Sequence, residues 1–273
     1  GPAFLGLCQD TQELSYDYPK EFFSECLHRI PRPRPDRKQI EKALKILQTA
    51  RRPLIISGGG VKYSGAEVIL SDFAQKHGIP ISETIAGKGS LTHEAPMHVG
   101  PIGVVGSSSA NAMAAQADVV LAIGTRLQDF TTGSWTAFST KAQFISINTA
   151  RWDATKHRAC AVIGDAFETI KELSAHLYGD IEGLDGETKS IEFKQSEIQN
   201  WAAEKNWTKK AEVEFKQWNK TLDKYQTPTN ATIPSYAQVV GLVNELADPA
   251  DTLVAAAGGI PGEVSKGWRV KNP

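Results

Sequence analysis

A loop with the composition of a ligand-binding wall follows one of the most apolar stretches of the chain. The run ADVVLAIGT, residues 117–125, is typical of a buried strand, and RLQDFTTGSW, residues 126–135, comes directly after it. The loop combines amide, hydroxyl, carboxylate and aromatic side chains, with neither a helical period nor an alternation. Because open α/β sheets bind ligands at the carboxyl ends of their strands, this loop is either the wall of a site or an ordinary solvated turn.

A second candidate is the run of three glycines, Gly58, Gly59 and Gly60, between an apolar strand and a helix. Glycines there permit positive φ and a close approach of a ligand to the backbone, and the start of a helix favours an anion such as a diphosphate. The run lacks the GxGxxG spacing with an acidic residue about 20 positions further on. It therefore predicts either a nucleotide-binding turn or, more simply, a tight turn. The run GSSSANA, residues 106–112, is open to the same two interpretations, a phosphate cradle or a helix cap.

The sequence contains no self-sufficient catalytic set. Its six histidines lack the spacing of metal ligands, its three cysteines form no CxxC pair, and neither a GxSxG motif nor a pair of catalytic carboxylates stands out. We predict no catalytic residue and no metal site within the chain. An odd number of widely spaced cysteines favours a reduced, cytoplasmic protein.

Charge and hydropathy argue against two classes of partner. The formal net charge is −1 with 22% charged residues, which suggests neither nucleic acid nor an anionic membrane surface. No apolar run approaches the roughly 18 residues of a membrane-spanning helix, and the first residues lack the basic region of a signal peptide.

The elements that must position these loops alternate between strand and helix over residues 36–170. Uniformly apolar strands separated by amphipathic helices predict a parallel sheet covered on both faces, that is, a doubly wound α/β domain. Asp36 and Asp165 are placed as N-caps of two of the helices. The predicted strands are PAFLGLC (2–8), RPLIISGGG (52–60), a strand that runs into a glycine-rich loop within IPISETIAGKG (79–89), DVVLAIG (118–124), AQFISIN (142–148), AVIG (161–164) and DTLVAAAGG (251–259).

Composition divides the chain into four parts. The first part, residues 1–36, leads into the proline-rich RIPRPRPDR at 29–37, which predicts an extended linker whose arginines are solvated. Residues 37–176 are the α/β domain, residues 177–234 a helical linker, and residues 235–273 the start of another domain. In the helical linker, Trp201, Trp207 and Trp218 are either core residues or anchors of an interface.

Four segments carry a resemblance to a known family. The order of RPLIISGGGVKYSGA, IPISETIAGKGS, NAMAAQADVVLAIGTRLQDFTTGSW and FISINTARWDATKH resembles the central domain of thiamine-diphosphate enzymes of the acetolactate synthase type. Residues 1–28 resemble the end of that family's pyrimidine-binding domain, and residues 235–273 resemble the start of its diphosphate-binding domain. The resemblance thus implies an internal fragment of a longer enzyme, inactive by itself.

The resemblance also implies cofactors. The family uses thiamine diphosphate and Mg²⁺, and contacts to the diphosphate are expected from the backbone of GGIPG, which comprises Gly258, Gly259, Ile260, Pro261 and Gly262. The main ligands of the cofactor are expected outside this chain. Flavin-binding members carry acidic residues where Asn148 and Thr149 stand here, so FAD is not expected.

The candidate loop departs from the carboligases of the family in one informative position. Acetolactate synthases carry an arginine, which suits a carboxylate substrate, where this chain has Phe130. The resemblance therefore implies a hydrolase of C–C bonds that acts on a neutral, polyhydroxylated cyclic dione and assembles as a homodimer or homotetramer. An acetolactate synthase-like carboligase fragment and a stand-alone nucleotide-binding module remain the alternatives. The residues expected to face the substrate are Gln128, Phe130, Thr131, Thr132, Ser134 and Trp135.

Overall fold

The computed structural model describes residues 4–28, 30–178 and 201–272. The chain divides into two compact units, Gly1–Pro31 and Arg32–Pro273. Within the predicted helical linker, residues 179–200 lie outside the described part. No described helix is both long enough and apolar enough to cross a membrane.

The first unit has little regular structure. It contains helix α1 (Gln9–Gln12) and a 3₁₀ turn at Lys20–Phe23, and all of its described residues are exposed. Tyr18 contacts the rings of Tyr16, Phe22 and Phe23. The strand predicted over residues 2–8 is wrong for the described residues 4–8, which are irregular, because an extended segment becomes a strand only when another strand pairs with it.

The second unit is built on a six-stranded parallel sheet, and the predicted doubly wound α/β fold is confirmed. The strand order is β3–β2–β1–β4–β5–β6. Ile55 of β1 lies opposite Ile81 of β2, and Ile145 of β5 lies opposite Cys160 of β6. The strands are β1 (Pro53–Ser57), β2 (Ile81–Glu83), β3 (His98–Pro101), β4 (Val119–Ile123), β5 (Gln143–Asn148) and β6 (Cys160–Ile163).

Helices cover both faces of the sheet. After α1 the described helices are α2 (Arg37–Thr49), α3 (Gly59–Ser64), α4 (Glu67–His77), α5 (Ser108–Ala114), α6 (Asp129–Thr132), α7 (Arg151–Ala154), α8 (Ala166–Tyr178), α9 (Lys205–Gln226), α10 (Tyr236–Leu246) and α11 (Gly259–Gly267). The first face carries Ile55, Leu121 and Ile147 and packs on α2, α4 and α8, whereas the second carries Ile56, Val120 and Ala122 and packs on α5 and α9.

Both predicted N-caps are confirmed. Asp36 accepts hydrogen bonds from the backbone N–H groups of Lys38 and Gln39, and Asp165 accepts them from Phe167 and Glu168. Such bonds satisfy donors that have no partner inside the helix. The caps therefore set where α2 and α8 begin.

The arginines before α2 are paired rather than simply solvated. Arg34 Nε lies 2.9 Å from Glu172 Oε1, and Arg32 contacts Ser64 and the carboxylate of Asp165, the latter at 3.6 Å. The backbone N–H of Asp165 also donates to the carbonyl of Pro33 at 2.8 Å. The segment is extended as predicted, but α8 holds it in place.

The tryptophans of residues 201–218 are core residues. Trp207 and Trp218 are buried, and Trp201 is half-buried. Trp207 donates its indole N–H to the carbonyl of Pro53 at 2.8 Å, and Trp201 donates to that of Ala50 at 3.0 Å. These contacts tie α9 and the residues before it to the start of β1.

Two further predictions about strands are corrected. Strand β3 was not predicted, because HVGP mixes a histidine, a glycine and a proline in four residues. Conversely, residues 251–257 were predicted as a strand but are irregular and exposed. No described strand pairs with them, and strand formation depends on such pairing.

Candidate functional site

The carboxyl edge of the sheet has its switch point between β1 and β4, where the order of strands reverses. The glycine turn after β1 packs directly on Gly124 after β4. A Cβ on Gly58 would lie 2.4 Å from the carbonyl oxygen of Gly124, and one on Gly60 would lie 2.6 Å from its Cα. The backbone N–H of Gly60 donates to the Gly124 carbonyl at 2.9 Å. Close packing thus explains why glycines occupy positions 58 and 60.

The loop after β2, residues 84–90, lies on the other side of the glycine turn. A Cβ on Gly87 would come within 2.2 Å of the carbonyl oxygen of Ser57, and one on Gly59 would lie 3.1 Å from that of Ala86. Ser57 donates its hydroxyl to Ser90 at 2.9 Å. The loops after β2, β1 and β4 therefore meet at one edge, as parallel strands require.

The loop RLQDFTTGSW contains a helical turn, α6, which the pattern did not predict. Its backbone has positive φ at Leu127, Gly133, Ser134 and Trp135. For residues with a Cβ such dihedrals are uncommon and cost about 1–3 kcal/mol each, and they cluster at functional sites. The conformation is held by hydrogen bonds, among them one of 2.7 Å from the Ser134 hydroxyl to Asp129 Oδ1.

The six residues predicted to face a substrate divide by exposure. Gln128, Phe130 and Ser134 are exposed, with 59% of Phe130 accessible to solvent. Thr131 and Thr132 are buried. Trp135 is half-buried and packs against the buried apolar residues on the second face of the sheet. The loop therefore presents an amide, a hydroxyl and an aromatic ring outward.

The loop after β3 contacts the backbone of Phe130. The backbone N–H of Val104 donates to the carbonyl of Phe130 at 2.8 Å, and a Cβ on Gly103 would lie 2.0 Å from the same oxygen. The side-chain amide of Asn111 holds Gly103 by two hydrogen bonds, of 2.9 and 3.0 Å. These contacts fix the backbone position of Phe130.

A contact with the loop after β5 holds Trp135. The ring centroids of His157 and Trp135 lie 3.6 Å apart, and the centroid of the Phe144 ring lies 5.3 Å from that of Trp135. His157 also has a positive φ. Desolvation, and then the charge of Lys156, lowers the pKa of His157.

Two titratable residues that the sequence did not predict as functional, Glu83 and Lys88, lie beside the glycine turn, and a third, His98 at the start of β3, faces Glu83. Glu83 ends β2 and is fully buried, and its Oε1 accepts the backbone N–H of Leu91 at 3.1 Å. Its Oε2 lies 3.4 Å from Nε2 of the buried His98. Lys88 is half-buried in the loop after β2. Desolvation lowers the pKa of Lys88, and the Glu83 carboxylate offsets part of this effect. The sequence feature that could have identified Lys88 is its position between two glycines in the loop that follows an apolar strand.

The segment GGIPG fits only part of a thiamine diphosphate site. Gly258 has φ +135° and precedes α11, whose first backbone N–H groups lack acceptors inside the helix and suit an anion. Residues 258–260 are exposed, and no side chain of the segment carries a charge. These five residues do not by themselves make up a binding site for the cofactor. Across the described ranges, no group of three or more His, Cys, Asp or Glu side chains is arranged to hold a metal ion.

Comparisons with known proteins agree with this architecture. Residues 40–173 match the family described as "Thiamine pyrophosphate enzyme, central domain". The chain is 34% identical over 276 residues to the 3D-(3,5/4)-trihydroxycyclohexane-1,2-dione hydrolase of Clostridium botulinum, covering 100% of this chain and 43% of that protein. Proteins of the same name from Clostridium perfringens and Geobacillus thermodenitrificans are 36% and 34% identical, over 98% and 100% of this chain and 42% of theirs. The chain spans less than half the length of these curated relatives.

Proposed function

Since the chain belongs to the thiamine pyrophosphate enzyme family, whose central domain occupies residues 40–173, we propose that it acts in a hydrolase that opens the ring of a trihydroxycyclohexane-1,2-dione. The reaction cleaves a ring C–C bond with uptake of one water and yields 5-deoxyglucuronate in the catabolism of myo-inositol. Relatives that carry this name over the whole length of the chain support the choice of substrate.

The observation that carries the proposal is the exposed Phe130 on the loop after β4. An aromatic ring offers an apolar surface to the carbon skeleton of a cyclic polyol and has no charge to bind a carboxylate. Gln128, exposed on the same loop, supplies an amide for the ring's oxygens, and the Ser134 oxygen, whose proton is donated to Asp129, can accept from a ring hydroxyl. The fixed backbone around Phe130 holds these groups in place before the ligand arrives, which lowers the entropic cost of binding.

The cofactors proposed for this hydrolase are thiamine diphosphate and Mg²⁺, without a flavin. Thiamine diphosphate supplies an electron sink for cleavage next to a carbonyl. The side-chain amide of Asn148 donates to the Thr125 carbonyl at 3.1 Å and accepts the Ala150 N–H at 2.9 Å. Because both of its polar groups already have partners in the chain, Asn148 supports the proposal of an enzyme without a flavin. The active protein is proposed to be a cytoplasmic homodimer or homotetramer, and sedimentation of the whole protein would report a mass of two or four times that of its polypeptide.

The test is hydrolysis of the dione by the polypeptide with thiamine diphosphate and Mg²⁺ added. The 273 residues alone are expected to give no turnover, so the substitutions belong in the whole protein. Phe130→Arg should lower kcat/KM for the dione at least tenfold, because it replaces the apolar surface with a hydrated charge. The matched control is Trp152→Arg, which adds the same charge at another exposed aromatic residue and should leave kcat/KM unchanged.

Two results would contradict the proposal. A Phe130→Arg variant as active as the unaltered protein would remove Phe130 from the substrate site. Formation of acetolactate from pyruvate, with no hydrolysis of the dione, would favour a carboligase instead.

A further inference from the structure

We propose that Lys88 is a ligand-contacting residue of the carboxyl-edge site and that its amine binds a carbonyl or hydroxyl oxygen of the substrate ring. The ligand class, a small uncharged ring rich in oxygen atoms, rests on the proposed function. The role of Lys88 rests on the geometry of the loop after β2.

Lys88 stands on a loop that is held at several points. The backbone of Gly87 packs on Ser57, and Ser90 is hydrogen-bonded to Ser57. Lys62 Nζ donates to the carbonyl of Gly89 at 3.1 Å, and Glu83 accepts the N–H of Leu91. A lysine side chain has high conformational entropy, but here the backbone that carries it is fixed beside the glycine turn.

The amine of Lys88 has no hydrogen-bond or ion-pair partner among the residues that the structure describes. The nearby Glu83 carboxylate accepts the Leu91 N–H through Oε1, and its Oε2 lies 3.4 Å from His98 Nε2 without a hydrogen-bond partner, so neither oxygen is paired with the amine of Lys88. A partly buried ammonium without a partner is costly. A bound oxygen atom would remove that cost, which gives the ligand a source of affinity at this position.

The loop that carries Lys88 and the loop that carries Phe130 both contact the glycine turn. The loop of Lys88 touches the glycine turn at Ala86 and Gly59, and the loop that carries Phe130 starts at Gly124, which touches the same turn at Gly60. The two loops therefore flank the switch point, where open α/β sheets bind ligands.

The chemistry of the amine suits a dione. Because desolvation lowers the pKa of Lys88, part of the amine is uncharged closer to neutral pH than for an exposed lysine. An uncharged amine donates and accepts hydrogen bonds, so it can bind a carbonyl oxygen or a hydroxyl without requiring a negative charge on the ligand. The contact is noncovalent, and no bond to the ligand is formed.

The experiment is a calorimetric titration of the whole protein, loaded with thiamine diphosphate and Mg²⁺, with a stable probe, the monoketone of a cyclohexane ring that carries five hydroxyls. Lys88→Met should weaken binding at least tenfold. The matched control, Lys141→Met, changes an exposed lysine two residues before β5, at the opposite edge of the sheet, and should leave the affinity unchanged. Equal thermal midpoints for the two variants establish that both are folded.

A second measurement reports on Lys88 directly. Competitive acetylation followed by mass spectrometry gives the pH dependence of each lysine, and its midpoint should be lower for Lys88 than for Lys141. The probe should slow acetylation of Lys88 at least fivefold and leave Lys141 unaffected.

The outcomes separate the two proposals. Equal binding of the probe by Lys88→Met and the unaltered protein, or acetylation of Lys88 that bound probe does not slow, would overturn the role of Lys88 and leave the proposed function standing. No binding of the probe to the unaltered, cofactor-loaded whole protein would overturn the proposed function and the ligand assigned to Lys88 with it.

Discussion

At the scale of single residues, the three glycines after β1 differ in what they do. Gly58 and Gly60 are in contact with the backbone of Gly124, so that a side chain at either position would overlap it. Gly59 faces the carbonyl of Ala86 at a distance that a small shift can relieve. The glycine run is therefore explained first by close packing of two loops, and a role in binding a nucleotide stays a prediction.

Substituting these glycines tests that distinction. Gly60→Ala should destabilise the protein by about 1–3 kcal/mol through overpacking against Gly124, as measured by urea unfolding. Gly59→Ala is the matched control and should cost less, because its new methyl group meets only the Ala86 oxygen at 3.1 Å and alanine favours the helix. Equal losses for the two variants would argue against the packing explanation.

At the scale of elements, His93 joins three parts of the second unit. Its ring donates from Nε2 to Asn219 Oδ1 on α9 at 3.0 Å and packs on Phe215. Its backbone N–H donates to the carbonyl of Val270 at 2.8 Å. Desolvation, followed by the charges of His98 and Arg269, lowers the pKa of His93 from 6.5 to about 4.

This pKa predicts a loss of stability in acid. Between pH 6.5 and about 4, the unfolded chain binds a proton at His93 that the folded protein does not, so the free energy of unfolding falls as the pH is lowered through that range. His93→Gln should reduce the loss between pH 7.5 and 5 by about 1 kcal/mol, allowing for screening at a half-buried site. Thermal unfolding at several pH values measures this, and parallel curves for the two proteins would contradict it.

At the scale of the whole molecule, the two units contribute unequally to the core. Both clusters of buried apolar residues lie in the second unit, whereas Phe4, Leu14 and Phe23 of the first unit are more than 70% exposed. Exposed apolar surface of this kind is typical of a surface that another protein or domain covers.

Removal of the first unit should therefore leave the second one stable. Deletion of residues 1–31 is expected to shift the thermal midpoint by less than about 2 °C, since every described residue of the first unit is exposed and exposed side chains contribute little to stability. Deletion of residues 1–36 is the control and should lower the midpoint by several degrees, because it also removes the pairing of Arg32 and Arg34 with α8 and the N-cap of α2. A large shift for the shorter deletion would mean that the first unit stabilises the second.

The sequence by itself determined the doubly wound class, five of the six strands of the sheet, and the caps at Asp36 and Asp165. These features depend on local periodicity and on short-range hydrogen bonds, which the order of residues specifies directly. The same patterns led to wrong strands at residues 4–8 and 251–257, because a strand requires a partner that lies elsewhere in the chain.

Only the tertiary structure decided how the loops meet at the carboxyl edge. The packing of Gly60 on Gly124, the contact of His157 with Trp135 and the approach of His98 to Glu83 each join segments that are distant or unpatterned in sequence. The burial that separates the exposed Phe130 from the buried Thr132 likewise comes from the fold. Pairings of this kind follow from the spatial order of the strands, which periodicity does not encode.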